Sequence, residues 1–210
     1  VSAPSYPGLA PSQAVASGLM PAHDLTLTVY YYKDTDTPYT VLHQQERLAG
    51  GYQTIDTETP RGTPGQAARA IPRSYDGFTV QSIPSATIAE DGTTTVIIQY
   101  TRNSYSAIWD PNGGAFADDY AMLPRTVSLR YGAPLTAPEV IHATDAVNSY
   151  TFAGWDGTVP ETMPANNIGY TAYWTPSARM YTVTVDFADQ DGNALAGVSP
   201  VSGKFSAGAG

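Results

Sequence analysis

The chain has 210 residues, of which 42% are hydrophobic, 11% aromatic and only 14% charged. That aromatic content excludes a disordered chain, and the lack of charge excludes a long helical bundle or coiled coil. Ten Lys and Arg face 19 Asp and Glu, a net charge of -9, which speaks against nucleic acid or anionic lipid as a partner, because phosphate binding needs clustered cations.

The sequence starts Val1-Ser2-Ala3-Pro4, with neither Met nor a basic-then-apolar leader, and reads as a piece cut from a longer protein. No run of about 18 apolar residues predicts a membrane span. The absence of Cys removes disulfides and thiolate metal sites. The first strong pattern falls at 24–32. Leu25, Leu27, Val29 and Tyr31 alternate with Thr26, Thr28, Tyr30 and Tyr32, which predicts a strand with one buried face.

A first segment follows, about 35–102. Residues 39–45 alternate as a strand, Gly50-Gly51 is a turn, and 52–57 is a second strand. Thr63-Pro64-Gly65-Gln66 offers an N-cap, a Pro at the first helical position and a Gln at the third. It predicts a short helix running to Ala70 and stopped by Pro72. Residues 78–82 read as a third strand, and Asp91-Gly92 turns into a fourth at 93–101. The order is ββαββ.

A second segment spans about 103–176. Strands are predicted at 105–110, 125–131, 149–155 and 168–174, with a turn at Pro111-Asn112-Gly113-Gly114. Residues 134–148 show little periodicity and read as a linker. Residues 177–210 open another unit, with a strand at 181–187 and a turn at Asp191-Gly192.

The chain also echoes itself. Met20-Pro21-Ala22 followed by the alternation of 24–31 returns 143 residues later as Met163-Pro164-Ala165 followed by Ile168-Gly169-Tyr170-Thr171-Ala172-Tyr173-Trp174. Tyr39-Thr40-Val41 returns as Tyr181-Thr182-Val183. Two echoes at nearly one period predict a repeating unit of about 143 residues, met part-way through.

These landmarks carry a resemblance. Trp109-Asp110-Pro111-Asn112-Gly113-Gly114, Tyr131-Gly132, Tyr150-Thr151-Phe152-Ala153-Gly154-Trp155, Met163-Pro164-Ala165 and Tyr170-Thr171-Ala172-Tyr173-Trp174 resemble a Listeria–Bacteroides repeat, the internalin B-repeat type of module. Tyr39-Thr40-Val41, Gly65, Tyr75-Asp76-Gly77-Phe78, Asp91-Gly92-Thr93 and Tyr100-Thr101-Arg102 resemble the MucBP-like modules that accompany such repeats. Asp189-Gln190-Asp191-Gly192-Asn193 looks like the start of another. The resemblance implies secretion, a β-grasp-like fold, tandem arrays on Gram-positive surface adhesins and no enzymatic site. It implies host glycoprotein or mucin glycans as partners for some members, and carries over no binding residue.

Each group of residues with chemical potential has a plain structural reading beside it. Asp189-x-Asp191-Gly192-Asn193 invites calcium, yet the glycine and the residue that closes the loop fall out of EF-hand register, so a turn is expected. Asp118-Asp119 and Glu90-Asp91 are neighbours in loops, where carboxylates meet water rather than each other. His23, His43 and His142 lie in three contexts and match no metal or nucleophile motif. Gly62-x-x-Gly65 lacks the Lys of a phosphate loop and reads as a helix start. Lys33 and Lys204 sit near segment borders, away from a strand core that an intramolecular isopeptide bond would need. Tyr30, Tyr31, Tyr32, Tyr170, Tyr173 and Trp174 place rings on both strand faces. Cross-strand packing is the first reading, and an exposed platform for sugar rings is the second. Trp155 and Trp174 are the expected anchors of the second core.

The expectation is thus a mainly β (α+β) chain of tandem small β-grasp-like modules, each a mostly antiparallel sheet with at most one short helix. Residues 1–34 end an upstream module, 35–102 form the MucBP-like module, 103–176 the Listeria–Bacteroides-type module, and 177–210 start a further one. No catalytic residue, metal or cofactor is expected, and the chain is expected to be a monomer. The functional reading is a non-catalytic spacer on a bacterial surface, with carbohydrate binding through exposed Tyr and Trp as the alternative.

Overall fold

A computed structural model describes residues 1–15, 18–19 and 21–208. Met20, the first residue of the Met-Pro-Ala echo, lies outside them. The chain divides into two compact units, Val1–Ser104 and Tyr105–Gly210. It is mainly β, as its alternations imply, with no helix among the described residues.

The first unit contains β1 (Leu9–Pro11), β2 (Tyr31–Lys33), β3 (Thr37–Pro38), β4 (Thr40–Glu46), β5 (Tyr52–Glu58), β6 (Arg61–Gly62), β7 (Phe78–Val80) and β8 (Thr95–Arg102). Its main sheet runs β5-β4-β8-β7. The centre is a parallel pair, with Val41 opposite Val96 and His43 opposite Ile98, while β5 and β7 flank it antiparallel. The first and last strands of this sheet are therefore neighbours, which no local pattern announces. Val41, Val96, Ile98 and Tyr100 point to one face and meet Tyr39 and Ile88 in a buried cluster. Ile97, between them, is exposed, as period two requires.

The helix expected over 63–70 does not form. Gly65 adopts φ +79°, a left-handed conformation that ends a helix rather than starting one. Only a few residues separate Pro64 from Pro72, too few for an isolated helix to hold. The segment instead lies extended along 86–88. Gly65 N–H donates to Ile88 O, Ile88 N–H to Gln66 O, and Ala68 N–H to Ala86 O, all at 2.8–2.9 Å. This strap brings Ala68 and Ala70 onto the core that a helix was expected to cover.

The strand expected at 24–32 shrinks to β2, which pairs antiparallel with β1. Residues 24–30 form no ladder, and Leu25 and Leu27 are exposed. Alternation supplies a face, but a strand also needs a neighbour for its backbone groups, and no described strand lies beside these residues.

The second unit contains β9 (Ser104–Asp110, its first residue the last of the preceding unit), β10 (Ala115–Phe116), β11 (Arg125–Arg130), β12 (Val140–Ile141), β13 (Asn148–Trp155), β14 (Ile168–Ala178), β15 (Met180–Val185) and β16 (Val201–Ser206). Its main sheet runs β11-β9-β14-β13. Here too the centre is parallel, with Ala107 opposite Ile168 and Trp109 opposite Tyr170. β13 flanks β14 antiparallel, with a bulge between Phe152 and Gly154. Ala107, Trp109, Phe116, Leu135 and Met163 form the buried core. The supposed linker at 134–148 includes β12, which pairs with β10 and covers that core. β15 and β16 form an antiparallel hairpin of their own. It is tied to the loop before β13, with Arg179 N–H donating to Val147 O and Tyr181 Oη to Ala146 O.

Trp109, not Trp155, is the central indole. It is 1% exposed, whereas Trp155 is only half-buried and leans edge-on against it at 4.9 Å. Tyr170 stacks on the other side at 5.0 Å. Parity within β9 carries this information: Tyr105, Ala107 and Trp109 share a face, and Ile108 between them is exposed.

Candidate functional site

The densest gathering of titratable side chains lies inside the first unit. β4 places His43 at the centre of the sheet, where it is fully buried. Its Nδ1 sits 2.8 Å from Tyr100 Oη on β8. Tyr100 Oη also accepts the Arg73 N–H at 2.8 Å, so its own proton is free to go to His43 Nδ1. That leaves the imidazole proton on Nε2, which faces Glu58 Oε1 at 3.3 Å in an electrostatic contact rather than an aligned hydrogen bond. The Arg73 guanidinium donates to both Glu58 and Asp56 on β5, and Glu58 in turn raises the affinity of that guanidinium for its proton. Tyr75 meets Tyr100 edge-on at 4.9 Å.

A tyrosine hydroxyl, an imidazole and a carboxylate in line suggest proton-transfer chemistry in outline. Catalysis would need a reacting atom within about 3 Å of one of them. His43 is 0% and Tyr100 1% exposed, so a substrate reaches neither without opening the core. The array pairs His43 Nδ1 with Tyr100 Oη inside the sheet and ties β4, β5 and β8 to the segment at Arg73.

The other residues weighed in the sequence fall into local roles. His23 is exposed in a stretch without strand. His142 follows β12 in the second unit, packed against Tyr150 at 3.9 Å and Trp174 at 5.2 Å. Asp189 Oδ1 accepts the N–H groups of Asp191 and Asn193, and these bonds hold its carboxyl below the usual range; the turn is closed by its own backbone. Among the described residues no three His, Asp or Glu side chains converge as metal ligands. Asp91 Oδ1 accepts Thr93 N–H and Oγ1–H in the turn before β8.

Asp118 and Asp119 are exposed loop charges, and they have a partner besides water. Both reach Arg125, Asp118 through two parallel bonds of 2.9 and 3.0 Å. The guanidinium lies 4.0 Å over the Phe116 ring. Arg125 thereby keeps the Asp118 carboxyl below its ordinary range. Lys33 and Lys204 stand on β2 and β16, and both are exposed. Gly62 belongs to β6, where an added Cβ would strike Ile88 Cδ1 at 2.6 Å.

The aromatic residues divide. Trp174 Nε1 donates to Pro111 O at 2.9 Å, and Tyr170 Oη donates to Thr158 O at 3.1 Å; both serve packing. Tyr31 stands edge-on to Tyr6 and donates to Pro4 O. Tyr30, Tyr32 and Tyr173 are exposed. The strongest exposed display was not anticipated. It is the loop after β10, where Tyr120, Met122 and Leu123 all face solvent.

No family model matches the chain. No curated protein matches it either. Among solved structures it is similar to "Streptococcal High Identity Repeats in Tandem (SHIRT) domains 3-4 from cell surface protein". The identity is 17%, the match covers 66% of this chain and 99% of that one, and the TM-score is 0.27. No helix of the described residues is long and apolar enough to cross a membrane.

Proposed function

We propose that the chain is a non-catalytic repeat fragment of a bacterial cell-surface adhesin, acting as a stalk or spacer at the cell surface or in the cell wall. In this reading residues 35–102 and 103–176 are β-grasp-like modules, MucBP-like and Listeria–Bacteroides-like respectively. Residues 1–34 close an upstream module and 177–210 open a further one. The observation that carries it is the strand order. Both main sheets place their second strand beside the first, the first beside the last, and the last beside the third, with the first and last parallel. One plan built twice from dissimilar sequences is what a modular array looks like. The His43–Tyr100 pair is closed inside a core.

Small-angle X-ray scattering on one, two and four tandem copies tests the spacer role. The maximum dimension grows in proportion to copy number if the modules form an extended array. A dimension that levels off would sink the spacer reading. Antibodies against the fragment, applied to intact cells of the source bacterium, test its location; labelling only after permeabilisation would remove it from the surface.

A further inference from the structure

Beside the exposed loop after β10 lies a cavity of about 340 Å³. Its small-residue wall is Gly113 and Gly114, and its side-chain walls are Tyr120, Met122, Ile141 and His142. The size is at the lower end of ligand pockets, which run roughly 300–1,000 Å³, and suits one small ring rather than a chain.

Three features show a built site rather than a gap. The first is backbone. Tyr120 has φ +59°, a left-handed conformation that a bulky side chain rarely adopts. It is held there by a closed set of bonds. Tyr120 N–H donates to Phe116 O and Phe116 N–H to Ala121 O. Ala121 N–H donates to Asp119 Oδ1, which also meets Arg125. The backbone is fixed, and the ring it presents is 71% exposed. The second is the opposite wall. His142 is held by Tyr150 and Trp174, and its Nδ1–H donates to Ala143 O at 2.6 Å. In the neutral ring Nε2 then carries a lone pair on the side of Gly113, 3.5 Å from where a Cβ of that glycine would stand. The third is the floor. A Cβ on Gly114 would sit 2.4 Å from Trp174 Cζ2 and 2.6 Å from Ile141 O, so the backbone here packs directly on Trp174 and Ile141, and only glycine fits.

We propose that this cavity binds a neutral pyranose ring, its C–H face against Tyr120 and Met122 and one hydroxyl donating to His142 Nε2. An aromatic face is electron-rich and attracts the polarised C–H groups of a sugar, while a lone imidazole acceptor selects a hydroxyl donor. Charge sets the class. The loop carries two carboxylates against one guanidinium and the chain a net charge of -9, so sialylated and sulfated sugars are repelled. The proposal goes beyond the spacer reading, and either can fail alone.

Saturation-transfer NMR on the whole chain tests it, with methyl β-galactopyranoside, methyl β-glucopyranoside and N-acetylglucosamine as probes and sialyllactose as the anionic comparison. At least one neutral probe shows transfer and sialyllactose shows about tenfold less. Tyr120→Gly weakens the association about tenfold yet raises the melting temperature, because glycine accepts this backbone freely. Tyr120→Phe retains binding within about threefold. A ring needed only for structure would lower the melting temperature when removed. No transfer from any neutral probe, stronger transfer from sialyllactose, or unchanged binding in Tyr120→Gly would each overturn the proposal.

Discussion

The first unit and the second build the same strand order and fill it with different chemistry. Above the parallel pair of the first lie Val, Ile and Tyr, with His43 buried among them and wired to Tyr100, Glu58 and Arg73. The corresponding space in the second holds Trp109, Phe116 and Met163, and no charged residue of that unit is buried among the described residues. Strand order is therefore set by backbone pairing and alternation, and the filling varies within it. The two fillings fail in different ways. A packed indole is lost as volume, a buried imidazole as unmatched polar groups.

The largest effect expected is from Trp109→Ala, which removes about 3–5 kcal/mol from the second unit. All three Trp residues lie there, so intrinsic Trp fluorescence follows that unit alone, and amide NMR follows the first. If the first unit melts with the second in this variant, the two are not separate cores. His43→Ala comes next, at about 2–4 kcal/mol. It lowers the melting temperature of the first unit and leaves the Trp transition where it was. A neutral result would mean that the buried array contributes nothing net, as some buried polar groups do.

Gly65→Ala is smaller and decides a sign. In the left-handed strap it costs about 1–2 kcal/mol; in a helix the same change would stabilise by roughly 0.5–1. Thermal melts separate the two outcomes. Acid should have the mildest effect and should fall unevenly. Asp118, Asp145 and Asp189 of the second unit are held below the ordinary carboxylate range, by Arg125, by Asn148 and Tyr150, and by Asn193. In the first unit Asp91 is so held, by Thr93. Depressed carboxyls stabilise above the unfolded value, about pH 4, and that support is lost as pH falls through the lower folded values. The Trp transition should thus drop more than the first unit's melt between pH 5 and about 2, and Asp145→Asn should reduce its slope.

Much of this architecture is visible in the alternation of apolar residues. β4, β8, β9 and β14 fall within a few residues of their expected limits because each buries one face. What alternation does not carry is partnership. It cannot say that β4 pairs with β8, across more than fifty residues, or that 24–30 joins no described strand. The false helix arose from good capping residues around a glycine whose positive φ only the folded backbone reveals. The His43 array was hidden for the same reason: Tyr100, Glu58 and Arg73 come from three separate stretches. The Tyr120 display was missed because a loop has no period, though Tyr120, Met122 and Leu123 stand out there as apolar residues without a partner face.

The parallel pairing of first and last strands has a mechanical consequence. In each main sheet the chain enters at one end of the central pair and leaves at the other, so tension applied through the backbone pulls β4 against β8, and β9 against β14, along their lengths. The ladder from Thr40–Thr95 to Gln45–Tyr100 is loaded in shear, with its hydrogen bonds sharing the force. A hairpin such as β15–β16, pulled from its two ends, opens one bond at a time like a zip. Each sheet is thus braced along the direction of a pull applied through its two ends.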